Sequence, residues 1–465
     1  VIHFYHLHAL DWVDIVSALS ADPNETAALA QSISDWPKSS ATYFKGIQDR
    51  VKGLVDRGQL GPFANAYWGH SAYKLPPAAN LMAVAHYLEA LEWQREFIKM
   101  HAILGGKNPH LQSFLVGGMA TPVDPDKQAS LNIHTIAQFK KLIAGAQEFV
   151  SKVYIPDLLA VASFYKDWAG YGAGVGNYMV YGEYPLDDEA NPDLYIKPGI
   201  IRARDISKVE EFDPSKITEQ ITHSWYDYAG GEEAALHPSA GETKPNYTGP
   251  EPPYERLDTS KKYSWLKSPR YEGVPMEVGP LSRMLVNYVR GHEQVQGLVN
   301  HVLKTLGVGP EALFSTLGRV AARGIETQLL VDKIGDWVDE LADNMGKGEL
   351  RIHDNSKWEP ESWPADCMGA GFHEAPRGSL GHWVHVKDAK IERYQCVVPS
   401  TWNAGPRDSG DVPGPYEAAL VGTPVADPEQ PIEILRTVHS FDPCMACGVH
   451  VVEPGGREIT RVKAR

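Results

Sequence analysis

The chain has 465 residues, with 44 Lys and Arg against 59 Asp and Glu, which gives a net charge of −15. Hydrophobic residues at 43% and charged residues at 22% are ordinary for a folded protein and exclude a largely disordered chain. The acidic excess excludes a general nucleic-acid-binding protein, which needs a basic face. The length suits roughly three domains, or one large core with insertions.

The sequence contains no recognisable transmembrane or secretion signal. No apolar run approaches the roughly 18–20 residues of a transmembrane helix, and no basic segment leads into an apolar one as in a signal peptide. The four cysteines are too few for a disulfide framework in a chain of this length. We therefore expect neither a membrane span nor a secretion signal within this sequence.

The first 19 residues have apolar side chains at helical spacing, among them Ile2, Tyr5, Ala9 and Trp12. No capping residue precedes them, and residue 1 is Val. The pattern therefore predicts a helix that the sequence enters partway along, with an N-terminal segment missing. A processed N-terminus is the alternative.

Residues 1 to about 165 have a mostly helical pattern. Pro77 and the pair Gly105-Gly106 bracket one long helix, whose apolar positions run around much of its circumference. Such a helix is expected to be buried on more than one side. A further helix is predicted from about Ile133 to Tyr165, with a break or kink at Pro156.

The remainder of the chain alternates between irregular and helical stretches. Residues 166 to about 277 carry short β-type runs and predict an irregular layer over the helices. Residues 280 to about 345 predict two helical blocks, and a β-rich stretch follows with a hairpin turn at Asp388-Ala389-Lys390. The expected fold is mainly α, a large helical bundle with a peripheral irregular or β layer and a small α+β part near the C-terminus.

The clearest chemical signal is FDPCMACGVH at residues 441–450, where Cys444 and Cys447 are three apart and His450 follows. Thiolates at this spacing can bind one soft metal ion. A zinc site would need four ligands, and a thioredoxin-like redox pair would follow a βαβ pattern that is absent. On spacing alone, two buried thiols beside a surface histidine remain an alternative.

Several further blocks accompany this motif in a fixed order. With them, the chain resembles the large, catalytic subunit of nickel–iron hydrogenases, in particular the membrane-associated uptake branch. The resemblance runs from residue 3 to the end. The blocks are HFYHLHALDWVD (3–14), GGKNPH (105–110), RYEGVPMEVGPLSRM (270–284), EAPRG (374–378), VPSTWN (398–403) and DPCMACGVH (442–450).

The resemblance implies a nickel ion held by four cysteine thiolates, two of which bridge to an iron that carries carbon monoxide and cyanide. Cys444 matches the terminal nickel ligand and Cys447 the bridging one. The other two thiolates belong to an N-terminal CxxC that the family places before the HFYHLH block, together with a glutamate for proton exit. Neither is in this sequence, so the chain alone is expected to hold half of a metal site and to be inactive.

A second metal is implied near the C-terminus. His450 matches a ligand of Mg²⁺ or Fe²⁺, with the backbone carbonyl of Cys396 as a further ligand. The side chains of Cys396 and Cys367 are expected to be buried small hydrophobic groups. His3, His6 and His8 suggest a metal cluster by composition, but position 8 leaves the face that 3 and 6 share, so core or interface histidines are favoured.

Other residues match the surroundings of the nickel–iron pair. Arg377 matches the arginine above it, and a guanidinium is a rigid, charged fork that suits anionic acceptors such as cyanide, although it is a poor general base by itself. Asp442 matches an acid near Arg377, where opposite charges keep both ionised; its alternative role is a helix N-cap. Ser400 matches a donor to the second cyanide, or is a turn residue. The remaining matches around the pocket are Pro376, Val398 and Pro399.

The implied reaction is the reversible conversion of H2 into two protons and two electrons. Iron–sulfur clusters must belong to a separate small subunit, since four cysteines cannot build both. Further implied partners are a maturation endopeptidase, nickel-insertion proteins and, through the small subunit, a membrane cytochrome b. The expected location is peripheral, on the periplasmic side of the cytoplasmic membrane, after co-export with the small subunit.

Residues 1–450 are expected to form a single domain, and residues 451–465 an extension that is removed on maturation. A permanent surface strand is the alternative for the extension. Two other functions compete: a hydrogen-sensing regulatory protein on the same fold, and a metal-free complex I-like structural subunit. Cys444 and Cys447 argue against the second of these.

Overall fold

Helices form the centre of the computed structural model. It describes residues 1–189, 191–231, 234–252, 256–444, 448–452 and 458–463, the last two ranges by their backbone. The helices are α1 (Ile15–Leu19), α2 (Pro23–Ile33), α3 (Ala41–Asp56), α4 (Pro77–Gly105), α5 (Ile133–Phe149), α6 (Ile155–Phe164), α7 (Pro280–Val289), α8 (Glu293–Leu306), α9 (Thr316–Gly346), α10 (Pro399–Ala404), α11 (Pro415–Leu420) and α12 (Ile432–Ser440). Helix α9 lies centrally, in contact with α5, α6, α7 and α8.

Strands are short outside one three-stranded antiparallel sheet in the order β11-β12-β13. The other pairs are two-stranded and antiparallel: β1-β2, β3-β6, β4-β5, β7-β10, β8-β9 and β14-β15. The strands are β1 (Phe114–Leu115), β2 (Gly118–Met119), β3 (Tyr178–Val180), β4 (Glu183–Pro185), β5 (Leu194–Ile196), β6 (Gly199–Ile201), β7 (Ile217–Gln220), β8 (Tyr226–Tyr228), β9 (Thr243–Pro245), β10 (Ser268–Tyr271), β11 (Asp366–Ala375), β12 (Gly378–Lys387), β13 (Lys390–Val397), β14 (Gly448–Val452) and β15 (Glu458–Lys463).

Helix α4 confirms the prediction made from its proline and glycines. Pro77 occupies the first turn, where a missing N–H costs nothing, and Gly106 ends the helix with φ +76°. Every residue from Ala79 to Ala90 is buried. The helix is therefore enclosed on all sides over its N-terminal half, as its apolar circumference indicates.

The helical segment around Pro156 is continuous rather than broken. Helix α5 passes into five π-helical residues, Val150–Tyr154, and these lead directly into α6. Pro156 stands in the first turn of α6, where it needs no hydrogen-bonded N–H. The wider π turn absorbs the constraint of the proline locally.

The predicted N-terminal helix is interrupted, contrary to expectation. A π-helical turn (Phe4–His8) and a 3₁₀ turn (Ala9–Asp11) come first, and α1 begins only after Asp14. The Asp14 carboxylate accepts the N–H of Val16 at 3.0 Å and that of Gly69 at 3.1 Å. A capping aspartate restarts the helix there, which apolar spacing alone could not indicate.

The sheet of β11, β12 and β13 confirms the predicted hairpin. Asp388 and Ala389 both have positive φ, +49° and +58°, as a two-residue turn of type I′ requires. A second tight turn joins β11 to β12, where Ala375 pairs with Gly378. Helix accounts for 45% of the chain. The fold is thus a helical core with small sheets. The more specific assignment to the mainly α class stays a prediction. No helix among the described residues is long and apolar enough to cross a membrane.

Candidate metal centre

Arg377 stands in the two-residue turn between β11 and β12, beside the exposed Pro376. The turn is pressed against the residues that precede α7. A Cβ on Gly378, whose φ is +135°, would lie 2.7 Å from the nitrogen of Gly279, and a Cβ on Gly279 would lie 2.9 Å from the carbonyl oxygen of Arg377. Two glycines thus allow this close approach, which holds the arginine above the start of α7.

Asp442 meets Arg377 from the other side, as the sequence predicted. It follows α12 with a φ of +59°, and its N–H donates to the His439 carbonyl at 2.7 Å. The Arg377 Nε donates to the Asp442 carbonyl at 3.0 Å and lies 3.5 Å from its Oδ1. Asp442 therefore lies just beyond the C-terminal end of α12. Its alternative role, an N-cap for the CxxC turn, involves residues 445–447, which lie outside the described residues.

Positive groups surround the buried Asp442 carboxylate. The Nδ1 of His3 is hydrogen-bonded to its Oδ2. Burial by itself would raise the pKa of Asp442, but the hydrogen bond from His3 and the charge of Arg323 hold that pKa well below its usual range. The acid is therefore ionised throughout the physiological range.

Arg323, on α9, is a site residue that the sequence reasoning missed. Its Nη2 donates to the Ser440 carbonyl at 3.1 Å, and its buried Nη1 has no hydrogen-bond partner among the described residues. Burial lowers the pKa of Arg323, and Asp442 opposes that shift. The signal available in the sequence was an arginine within the otherwise apolar stretch VAARGI.

The neighbouring His8 is fully buried, and its Nε2 also has no hydrogen-bond partner in the described part of the chain. Burial, and then the positive charge of Arg323, hold the pKa of His8 well below 6.5. His8 is thus neutral at pH 7. It packs within the core as expected, and His3 is the histidine of this segment that touches the site.

Cys444 and Ser400 are in contact through one hydrogen bond. The Cys444 N–H donates to the Ser400 Oγ at 3.1 Å, and accepting this bond leaves the hydroxyl's own hydrogen available. Ser400 is buried in the first turn of α10, behind the half-buried Val398 and the buried Pro399. The Cys444 thiol is free and exposed, which suits a metal ligand.

Two of the predicted metal ligands fall outside this description. Cys447 lies outside the described residues, and His450 is described by its backbone alone. Among the residues that the structure does describe, no three His, Cys, Asp or Glu side chains converge as a metal site. Of the two predicted nickel ligands, Cys444 is the one whose side chain lies among the described residues, and its soft sulfur suits nickel.

The expectation that Cys367 and Cys396 are buried is wrong. Cys396 is exposed, and Cys367 is intermediate. Both lie on outer strands of the three-stranded sheet, β13 and β11, and much of each outer strand faces solvent. The Cys396 carbonyl, the predicted second ligand, accepts a 3.4 Å hydrogen bond from the Gln395 side chain.

A cavity of about 310 Å³ lies beside the sheet, but the larger cavity, about 510 Å³, adjoins the Arg377 turn. Its lining combines an apolar wall with charged groups from α7 and α9. The lining residues include His3, Arg283, Arg323, Glu326, Glu374 and Pro376.

Helix α12 is anchored firmly before it delivers Asp442 and Cys444. The Arg436 guanidinium lies 4.8 Å from the Trp12 ring and 5.1 Å from that of Tyr165, and its Nε donates to the Asp11 carbonyl at 2.7 Å. One turn later, the Nδ1 of His439 lies 2.8 Å from an Asp11 carboxylate oxygen. These contacts tie the C-terminal motif to the HFYHLHALDWVD segment.

The chain is similar to a consistent set of known proteins. The family model for nickel-dependent hydrogenases matches residues 1–450. The uptake hydrogenase large subunit of Rhizobium leguminosarum bv. viciae is 50% identical over all of this chain and 80% of its own length, and the hydrogenase-1 large chain of Escherichia coli is 44% identical over the same shares. Among solved structures, the oxidised Ni-Fe-Se hydrogenase of D. vulgaris Hildenborough matches 95% of this chain and 77% of its own, at a TM-score of 0.70 and 30% identity.

Proposed function

This chain belongs to the nickel-dependent hydrogenase family, and from that premise we propose how its residues serve the reaction. It is the catalytic large subunit of a nickel–iron hydrogenase, similar over its whole length to uptake hydrogenase large subunits. The observation that supports the residue roles is the contact between Arg377 and Asp442, two residues before Cys444, at a turn that adjoins a large cavity. These three are the proposed catalytic residues.

The nickel–iron centre, when bound, supplies the heterolytic cleavage of H2. Cys444 would hold nickel together with Cys447, and its Sγ would then be the group that takes up the released proton. The Arg377 Nε donates to the Asp442 carbonyl, and this hydrogen bond fixes the plane of the guanidinium. Its terminal nitrogens are then the groups that it offers to an anionic ligand such as cyanide. Asp442 stays ionised and keeps the guanidinium in place.

The surroundings of the centre have supporting roles in this proposal. Ser400 accepts the Cys444 N–H, and its own hydrogen would be available to the second cyanide of the iron. Pro376 lines the cavity, and Val398 and Pro399 directly precede Ser400 at the start of α10. In a separate site, His450 and the Cys396 carbonyl would hold Mg²⁺ or Fe²⁺, which are cations that accept oxygen ligands readily.

We further propose the assembly in which the subunit works. Its electrons pass to a small subunit that carries the iron–sulfur clusters, and from there to a membrane cytochrome b. The heterodimer is peripheral, on the periplasmic side of the cytoplasmic membrane. Nickel-insertion proteins load the site, and a maturation endopeptidase completes it.

The test of the function uses the complete gene product, produced with its small subunit and maturation proteins. Purified protein is expected to contain stoichiometric nickel and iron and to reduce a viologen dye under H2. A folded complex without nickel would overturn the proposal and favour a structural subunit. Full metal content with little turnover would instead favour a sensor.

The C-terminal extension provides a second prediction. β14 and β15 pair so that His450 lies opposite Arg461 and Val451 opposite Thr460. The proposed cleavage bond, between His450 and Val451, therefore lies within a paired strand. Removal of residues 451–465 would take away the partner strand and free His450 to turn toward its metal ion.

Intact-mass measurement of the active large subunit tests this directly. The mass is expected to correspond to a chain that ends at His450, whereas the nickel-free precursor should retain the extension. Residue Arg465 still attached to a fully active subunit would leave β15 as ordinary structure and contradict the processing step.

A further inference from the structure

Arg283 reaches the Arg377 turn from the inside of the molecule. It lies on α7, fully enclosed, and none of the roles proposed above uses it. We propose that Arg283 is a positioning residue that sets the orientation of Arg377 by holding the backbone of its turn. This inference rests on the proposed function of Arg377.

The contacts of Arg283 use all five N–H groups of its guanidinium. Its Nη1 donates to the Ala375 carbonyl at 2.9 Å and its Nη2 to the Pro376 carbonyl at 3.0 Å. These are the two carbonyls that directly precede Arg377. Arg283 and these two hydrogen bonds thus form a clamp on the backbone immediately before Arg377.

Two carboxylates fix the clamp in turn. Glu374, the residue before Ala375, accepts from Nη1 at 2.9 Å. Glu326 of α9 accepts from Nε and, at 2.8 Å, from Nη2. Arg283 thus links α7 and α9 to the strand that enters the turn, and the paired charges make its burial tolerable.

The geometry around the turn makes this clamp important for precision. Pro376 is exposed and the Arg377 side chain is 30% exposed, and Asp442 is the residue that contacts Arg377 on the side away from α7. On the inner side, Gly279 and Gly378 allow the close approach of the turn, and the Arg283 hydrogen bonds set the tilt of the Ala375 and Pro376 carbonyls. Because a misplacement of about 1 Å can cost on the order of 10²-fold in rate, the tilt is significant.

Arg283→Lys in the complete heterodimer is the direct test, because a lysine keeps the charge but cannot hold two carboxylates and two carbonyls at once. Turnover of H2 is expected to fall about tenfold or more, with nickel and iron content unchanged and little change in KM. The infrared bands of the iron-bound cyanides should shift, and amide exchange at residues 375–378 should accelerate.

Arg270→Lys provides a matched control. Arg270 is also fully buried, pairs with Asp408 at 2.7 Å and donates to the Pro406 and Val412 carbonyls, but it touches no part of the Arg377 turn. Its substitution should lower thermal stability and leave turnover per nickel and the cyanide bands unchanged. Equal effects from both substitutions would mean that Arg283 is merely structural, and would overturn the proposal.

Coupling to Arg377 separates this inference from the proposed function. If Arg283 acts through Arg377, adding Arg283→Lys to an Arg377→Lys enzyme should cause little further loss, whereas independent effects would multiply. Multiplying effects would overturn the inference while leaving the function of Arg377 intact. A wild-type enzyme without nickel or H2 turnover would instead refute the proposed function itself.

If the lysine variant does not fold, Glu326→Gln loosens the same clamp more gently. Both Glu326 oxygens accept from Arg283, and glutamine keeps the shape but offers only one acceptor oxygen and no charge. Turnover is expected to fall several-fold with cyanide bands displaced in the same direction. Unchanged turnover and bands in a folded Glu326→Gln enzyme would contradict the positioning role.

Discussion

Cys444→Ser in the complete enzyme is expected to abolish H2 oxidation and to leave little nickel bound. Serine has nearly the same shape, but its hydroxyl is a hard, protonated ligand where nickel requires a soft thiolate. The N–H of residue 444 can still donate to Ser400, so the local fold should persist. Elemental analysis and dye-linked H2 oxidation measure the two losses.

Cys367→Ser is the matched control for this substitution. Cys367 is a free thiol of intermediate exposure on β11, and it has no role in the proposed site. The control is expected to retain nickel, iron and turnover. A Cys444→Ser enzyme with stoichiometric nickel and wild-type turnover would remove Cys444 from the metal site.

The retention of the maturation extension should distinguish the two variants as well. Processing depends on nickel loading in the proposed order of events, so Cys444→Ser should accumulate with residues 451–465 attached. Cys367→Ser should be cleaved normally. Mass measurement thus separates a loading defect from a purely catalytic one.

Local patterns in the sequence predicted the long helices and the hairpin because each of them depends on neighbouring residues. Pro77 and Gly106 define α4, and Asp388-Ala389 defines a turn, whatever the rest of the chain does. The prediction of one continuous N-terminal helix was wrong because Asp14, where α1 begins, accepts an N–H from Gly69, a residue that lies 55 positions away. Such a contact is invisible to periodicity.

The candidate site follows the same division. Its chemical groups, Arg377 and Cys444, stood out by motif and resemblance. The groups that orient them did not, because Arg283 and Arg323 gain their roles only when α7 and α9 pack beside the C-terminal motif. Cys396 was misjudged because cysteine is usually buried, whereas its strand forms an edge of the sheet.

Arg377→Lys is expected to fold, to load nickel and iron, and to lose on the order of 10²-fold in H2 turnover, the cost typical of removing one preorganised hydrogen-bond donor. Lysine keeps a positive charge beside Asp442 but offers one nitrogen in place of a planar fork. If that nitrogen bonds to the Asp442 carbonyl, as the Nε of Arg377 does at 3.0 Å, it cannot also face the metal.

Arg407→Lys is the control that separates the effect of position 377 from the general effect of exchanging an arginine for a lysine. The Arg407 side chain is 25% exposed, close to the 30% of Arg377, and it pairs with Asp411 at 2.9 Å without touching the Arg377 turn. This control should turn over like the wild type. Both variants exchange a partly exposed guanidinium for an ammonium. A loss in turnover of about 10²-fold at position 377 alone would therefore be due to the planar guanidinium of Arg377 above the metal. Turnover near the wild-type rate in Arg377→Lys would reduce Arg377 to a structural residue of its turn, and the clamp formed by Arg283 would then lose its catalytic meaning.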